Sequence, residues 1–292
     1  MSMKIVRGAL LSCAALAVGP AMANHSWNNY HWNRSGAEVT VPVGDNVTNA
    51  WDSYLEVAIN GGSQNKPNWN DSGVIESPLV AGRTTNAKTC KPVAGTIQVC
   101  NARYGNNGWL GIAQIWLSGG HISQGVTKLN DTYYASPTYN TPAWRRLVMC
   151  QEVGHNYGLG HTNEVFTNYN DGTCMDYTNA PAGGVVGGFN YGPTNEYPNA
   201  HDYSQLASIY SHADSTNFAV RTVGQSNQGV ADEAAGGDTP AEWGNAIHYD
   251  GAGRPDVFEK QVGTGRKKIT HVFWAIGEGP PGQQKKHEEH ED

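Results

Sequence analysis

The chain has 292 residues, a formal net charge of −7, 36 glycines and only 15% charged residues. That length allows one large or two small domains with a real core, and a low-charge, Gly-, Asn-, Tyr- and Trp-rich composition suits a loop-rich extracellular domain better than a helical cytosolic one. An acidic chain without a basic stripe gains nothing from phosphate attraction, so nucleic-acid binding is set aside.

Lys4 and Arg7 precede an apolar run, Ala9 to Val18, and Ala21-Met22-Ala23 follows. A positive start, a short apolar middle and an A-x-A end make a secretory signal peptide over residues 1–23, with cleavage after Ala23 and a secreted or periplasmic product. A lipoprotein anchor at Cys13 fits less well, because most of the apolar run follows that cysteine. The run is too short for a lasting membrane span, so no membrane contact is expected after cleavage. Cleavage removes two cations and no acids, which takes the net charge from −7 to −9. It leaves Cys90, Cys100, Cys150 and Cys174. An even count in an exported protein predicts two disulfides; three pairings are possible, and Cys90–Cys100 is favoured as a small local loop.

Glu38 to Val43 alternates and reads as a strand. Asp45 to Ile59 has helical spacing at Val47, Ala50, Trp51, Leu55 and Ala58, and Gly61-Gly62 ends it. Short strands are expected near Gly73 to Leu79, then at Gly95 to Ala102, Leu110 to Leu117 and Ile122 to Leu129. The best-defined helix has Thr141 as its cap and Pro142 in its first turn, and runs to about Tyr157. Residues 162–195 read as loop, and Asp202 to Tyr210 as a last helix. Beyond residue 213 the composition shifts. Residues 214–253 read as a linker, 254–276 as a small element with a hairpin near Gly263-Thr264-Gly265, and 277–292 as a disordered tail.

The segment from Cys150 to His161 carries the chemistry: Cys-Gln-Glu-Val-Gly-His-Asn-Tyr-Gly-Leu-Gly-His. Positions 151 and 155 lie one helical turn apart, Glu152 lies beside them, and Gly158 lets the chain turn back so that His161 can approach the same point. Cys174-Met175-Asp176-Tyr177 follows.

This resembles the metzincin clan of zinc proteases, in its matrixin and astacin families, whose signature is H-E-x-x-H-x-x-G-x-x-H with a later Met-turn. The resemblance covers roughly residues 24–212. It implies an α/β (α+β) domain over 24–213, with a twisted mixed sheet, a backing helix, an active-site helix and a Met-turn. It implies zinc held by His155 and His161, Glu152 as general base, Met175 as the Met-turn residue and Tyr177 as a catalytic tyrosine. It also implies a Cys150–Cys174 bridge, since the Met-turn packs beneath the zinc helix. The clan has histidine where this chain has Gln151. Gln151 could ligate through its amide oxygen, another residue could substitute, or the site could have lost its metal.

The activity implied is that of an exported endopeptidase acting as a monomer on protein or peptide substrates, which would lie extended along Leu110 to Leu117. The alternatives are an inactive metzincin-fold binding module and a small-substrate metallohydrolase. Calcium in the Asn-rich loop at 167–171, with Asp171, is a further expectation. His121, His201, His248 and His271 have no partners at ligand spacing and read as structural or surface residues, Arg145-Arg146 as a solvated pair, and His287 to His290 as polar tail.

Overall fold

Alternating and β-branched stretches make the strands and the capped apolar stretches make the helices, largely where the sequence places them. The structure, a computed structural model, describes residues 25–214 and 237–280. In chain order its elements are β1 (His31–Trp32), β2 (Val39–Thr40), β3 (Val43–Asn46), α1 (Asp52–Asn60), β4 (Ile75–Glu76), β5 (Leu79–Ala81), β6 (Ile97–Ala102), β7 (Trp109–Ser118) and β8 (His121–Asn130). Then come α2 (Asp131–Tyr134), α3 (Pro142–His155), β9 (Val185–Val186), β10 (Phe189–Asn190), α4 (Ala200–Ile209), α5 (Pro240–Trp243), β11 (Asn245–Tyr249), β12 (Pro255–Gly263) and β13 (Arg266–Trp274). The expected signal peptide at 1–23 and the residues from 281 onward lie outside the described residues.

The expected helix at Asp45 begins seven residues late, at Asp52. Asp45 and Asn46 instead extend β3, which is held in parallel register by Val99 and Cys100 of β6. Sheet pairing overrides the helical spacing of Val47 and Ala50. Gly61 ends α1 in the left-handed conformation, a conformation glycine adopts without steric cost.

One mixed sheet of nine strands dominates, in the order β11-β12-β13-β7-β8-β6-β3-β5, with β1 pairing the start of β8. β5, β3, β6 and β8 are parallel neighbours, while β7 runs antiparallel to β8. The main core includes Trp51, Leu55 and Ile59 of α1, Leu147, Val148 and Val153 of α3, and Leu110 and Ile115 of β7. The layers are thus mixed α/β, with α3 packed against α1 and the sheet.

Two expectations are corrected here. Residues 245–274 are three strands of the main sheet, so the part of the expected linker that can be described, 237–253, holds α5 and β11. Trp109, Trp243, Phe258, Val272 and Trp274 form a second apolar cluster that fastens this hairpin. The second correction follows from the first. β7 is no free edge for substrate, because β13 pairs with it antiparallel from Arg266↔Ser118 to Trp274↔Trp109. Nothing local in Leu110 to Leu117 could show that a strand some 155 residues later takes that edge.

Arg145 and Arg146 are not a solvated pair either. The Arg145 guanidinium lies 4.5 Å from the Trp51 ring centroid, and Arg146 pairs with Glu196. Such stacking and pairing satisfy a cation beside an apolar layer.

Candidate metal centre

α3 starts where Thr141 Oγ1 accepts the Trp144 amide and Pro142 takes the first turn, and it runs to His155. At 3.6 residues per turn this sets Gln151 and His155 on one face. Asn156 then anchors the helix end. Its side-chain amide donates to the Glu152 carbonyl and to Thr127 Oγ1 of β8, both at 2.8 Å.

Gly158 makes the turn toward His161. Its φ is 93°, and a Cβ there would stand 1.9 Å from the Tyr30 carbonyl oxygen. The N-terminal strand closes on this turn from outside: Trp27 N donates to the Gly158 carbonyl at 2.9 Å, and Gly160 N donates to the carbonyl of His25. Gly158→Ala is therefore expected to destabilise the fold by about 2–4 kcal/mol through left-handed strain plus the clash. A shift of the urea midpoint measures it, and an unshifted midpoint would contradict this account of the turn.

The turn brings His161 to His155, with ring centroids 4.6 Å apart. His155 Nδ1 lies 2.8 Å from the Leu159 carbonyl. That nitrogen must carry the proton, which leaves a lone pair on Nε2, the arrangement a ligating histidine needs. His161 Nε2 is buried without a hydrogen-bond partner. Gln151 donates Nε2 to the Cys174 carbonyl at 2.8 Å, so its Oε1 is the free atom, buried and unpartnered. Glu152 is fully buried, and neither carboxylate oxygen has a partner. On β7 a Gly111 Cβ would meet Glu152 Cγ at 2.8 Å; glycine there makes room for the carboxylate arm.

Met175 is buried under α3, so that a Cβ on Gly154 would stand 2.5 Å from its Sδ. Cys150 and Cys174 are bridged with Cα atoms 5.9 Å apart, and Cys90 and Cys100 with 6.0 Å. Both expected pairings are present, and the first ties α3 to the turn that carries Met175. The Tyr177 ring lies 4.0 Å from that of His161, but its hydroxyl donates to Asp256 Oδ2 and to the Val272 carbonyl, each at 3.3 Å. In this state the hydroxyl is engaged with the C-terminal hairpin.

The hairpin adds what the sequence reading missed. His271 of β13 is buried beside the pair, its ring centroid 4.1 Å from His155 and 6.2 Å from His161, and neither of its nitrogens has a hydrogen-bond partner. The His271 ring is stacked on His155, 13° from parallel, whereas imidazoles that share one ion have ring planes that converge on it. Asp256 and Glu164 approach His161 Nδ1 at 3.7 and 3.6 Å, and His248 bridges them, with Nδ1 at 2.8 Å from Asp256 and Nε2 at 3.4 Å from Glu164. Trp27 packs edge-on against both His248 and His271. No spacing signal reaches position 271 from 161; only the pairing of β13 with β7 places it.

Burial, then the charge of neighbouring imidazoles, lowers the pKa of His155 and His271 well below the ordinary value. Burial takes His161 down to about 4, against the pull of Asp256. Burial alone raises Glu152 well above the carboxylate range. Three neutral imidazoles, an amide oxygen and a carboxylate therefore share a dry interior with their donor atoms unspent. Buried polar atoms seldom stay unpaired without a role. His155 and His161 supply imidazole nitrogen and Gln151 Oε1 a weaker oxygen, donor types that a divalent zinc ion takes, while His271 lies stacked on His155.

The calcium expectation at Asp171 finds no such support. Asn170 donates its amide to the carbonyls of Ala180 and Pro193, and among the described residues no group of three His, Cys, Asp or Glu donors gathers round Asp171. Comparison with known proteins adds no identity: no protein-family model matches the chain, and no curated protein matches it.

Proposed function

We infer that the protein is an exported zinc-dependent hydrolase of peptide bonds, with a metzincin-like arrangement in which Gln151 stands where the clan has an imidazole. The observation that carries this reading is the meeting of His155 and His161 beside a fully buried carboxylate, Glu152, that has no structural partner. His155 and His161 would hold zinc, with Gln151 Oε1 as a weaker ligand and His271 packed against His155. Zinc supplies Lewis acidity and an activated water near neutral pH. Glu152 would take the proton of the attacking water and pass it to the leaving amine, and its burial favours that role by holding its pKa up toward working pH. Cys150–Cys174 and Met175 hold α3 at a fixed height beneath the site.

The docked hairpin shapes the substrate range. β13 occupies β7, so strand addition there is closed to an extended chain. The partly open flank lies at Glu164 and His248, whose side chains are 29% and 31% exposed. With strand addition closed, short peptides are expected to be cleaved better than the middle of a long chain. Two orders of magnitude less activity on casein than on short peptides is the expected pattern, read by mass spectrometry of a peptide-library digest. Chelation should abolish cleavage and added zinc restore it.

The same covered edge favours a second reading, a non-catalytic binding module on this scaffold. Zinc bound at the His155–His161 site with no member of the library cleaved would overturn the peptidase reading. It would leave this second one, or a metallohydrolase of small non-peptide substrates.

A further inference from the structure

A second histidine cluster lies away from α3, and the candidate peptidase site makes no use of it. β1 and β8 set His31 and His121 opposite each other in register. The chain leaving α4 brings His212 and Asp214 to the same place. Arg34 fixes the aspartate from both sides: its amide donates to Asp214 Oδ2 at 2.7 Å, and its carbonyl accepts the Asp214 amide at 2.8 Å. The other carboxylate oxygen, Oδ1, faces three imidazoles. His121 Nε2 stands 3.1 Å from it, His212 Nε2 3.3 Å and His31 Nε2 3.4 Å, while the Nε2 atoms of His31 and His212 are themselves 3.3 Å apart.

These lengths separate two explanations. A charge-assisted N–H···O bond to a carboxylate is about 2.7–2.9 Å long. The three contacts to this one oxygen are all longer than that. Donor atoms around a tetrahedral zinc, each about 2.0–2.1 Å from the ion, lie about 3.3 Å from one another. His31, His121 and Asp214 each offer one donor atom, mutually within 4.8 Å, and their contacts to Oδ1 fall near that edge length. The protonation pattern agrees. His31 Nδ1 is 2.7 Å from the Asn29 carbonyl and donates to it, so the Nε2 lone pair points into the cluster.

We propose that His31, His121 and Asp214 form a zinc site that staples separate segments of the chain, with His212 at its rim. Its work is mechanical. It joins the N-terminal strand, the β7–β8 corner and the chain after α4. That N-terminal strand also braces the Gly158 turn: Tyr30 stands against Gly158, and Trp32 Nε1 donates to the Asn156 carbonyl at 2.8 Å. Tyr210, just before His212 and Asp214, donates its hydroxyl to the Tyr157 carbonyl at 3.1 Å. The staple thus stiffens the turn that delivers His161, whether or not the molecule is a peptidase.

The test uses the full mature chain and zinc alone as probe, with bound metal counted by native mass spectrometry and affinity read by chelator competition. His121→Ala is the first variant, since that side chain is 22% exposed and stands at the start of β8; Asp214→Asn is the second. Each is expected to lose one zinc equivalent, or to bind it at least tenfold more weakly, and His161→Ala should leave that equivalent in place. Cobalt loaded into the same position should show tetrahedral d–d absorption that both variants lose. Undiminished zinc and an unchanged cobalt spectrum in both variants would overturn the proposal. The two sites are told apart by the variants. A chain whose only zinc is sensitive to His161→Ala refutes the staple and keeps the peptidase reading; a chain whose only zinc is sensitive to Asp214→Asn does the reverse.

Discussion

Glu152→Gln is expected to abolish hydrolysis while leaving the zinc in place and the fold more stable. General-base catalysis by a positioned carboxylate contributes about 10²–10⁴-fold, and the amide keeps the shape of the side chain but cannot take the proton. Peptide cleavage should fall by that factor at unchanged metal content. The stability arm separates function from architecture. Glu152 is fully buried, both its oxygens lack partners, and burial raises its pKa. Its unfolded pKa lies near the ordinary value, so the folded state of the metal-free chain retains a proton that the unfolded state releases. Stability therefore falls as pH rises above about 4.5. A neutral amide carries no titrating proton there and so removes that pH-dependent loss. Metal-free Glu152→Gln should thus melt above the metal-free wild type at pH 8, and the two should converge near pH 4. A purely structural glutamate would give the opposite order, because its replacement would break a contact. Loss of activity together with loss of zinc would likewise remove Glu152 from the role of base.

That one helix carried most of what could be read from sequence. The turn-by-turn spacing of Gln151 and His155, the left-handed Gly158 and the return of His161 are local, and periodicity and glycine chemistry report local geometry well. Both disulfides were legible for the same kind of reason, one from a short loop and one from the resemblance. What stayed hidden depends on register between distant strands. His271 reaches His155 only because β13 lies antiparallel on β7 with His271 opposite Ala113. The shift in composition after residue 213 pointed to a linker and an appendage, yet Trp243, Phe258 and Trp274 bury themselves in the main body. His31, His121, His212 and Asp214 are scattered over most of the chain with no motif spacing, and only the closing of β1 on β8 and of the post-α4 segment on Arg34 gathers them.

Metal removal carries the other large effect, and its pH dependence can be worked out from the same residues. In the metal-free chain the imidazoles and the carboxylate pull in opposite directions. His161 is neutral in the fold down to about pH 4 against an ordinary value of 6.5, with His155 and His271 shifted the same way by burial and by one another. A lowered folded pKa means that the unfolded chain binds more protons, so this contribution is complete above pH 6.5 and is lost as pH falls toward 4. For His161 the loss is on the order of 3 kcal/mol. Glu152 exacts its cost on the other side, above about pH 4.5. No pH suits both sets without a cation between them. A bound divalent ion takes up the imidazole lone pairs and neutralises the carboxylate, so it relieves both. At a free zinc concentration about a thousand times Kd the ion should stabilise the fold by about 4 kcal/mol. For a domain of this size that is roughly 8–16 °C in Tm. Calorimetry in the Asp214→Asn background isolates this site from the proposed staple. Zinc-loaded and chelated scans should stand apart at pH 7.5 and draw together toward pH 5, where protons compete for the imidazoles. Superimposed scans at pH 7.5 would mean that His155 and His161 hold no metal, and the peptidase reading would fall with them.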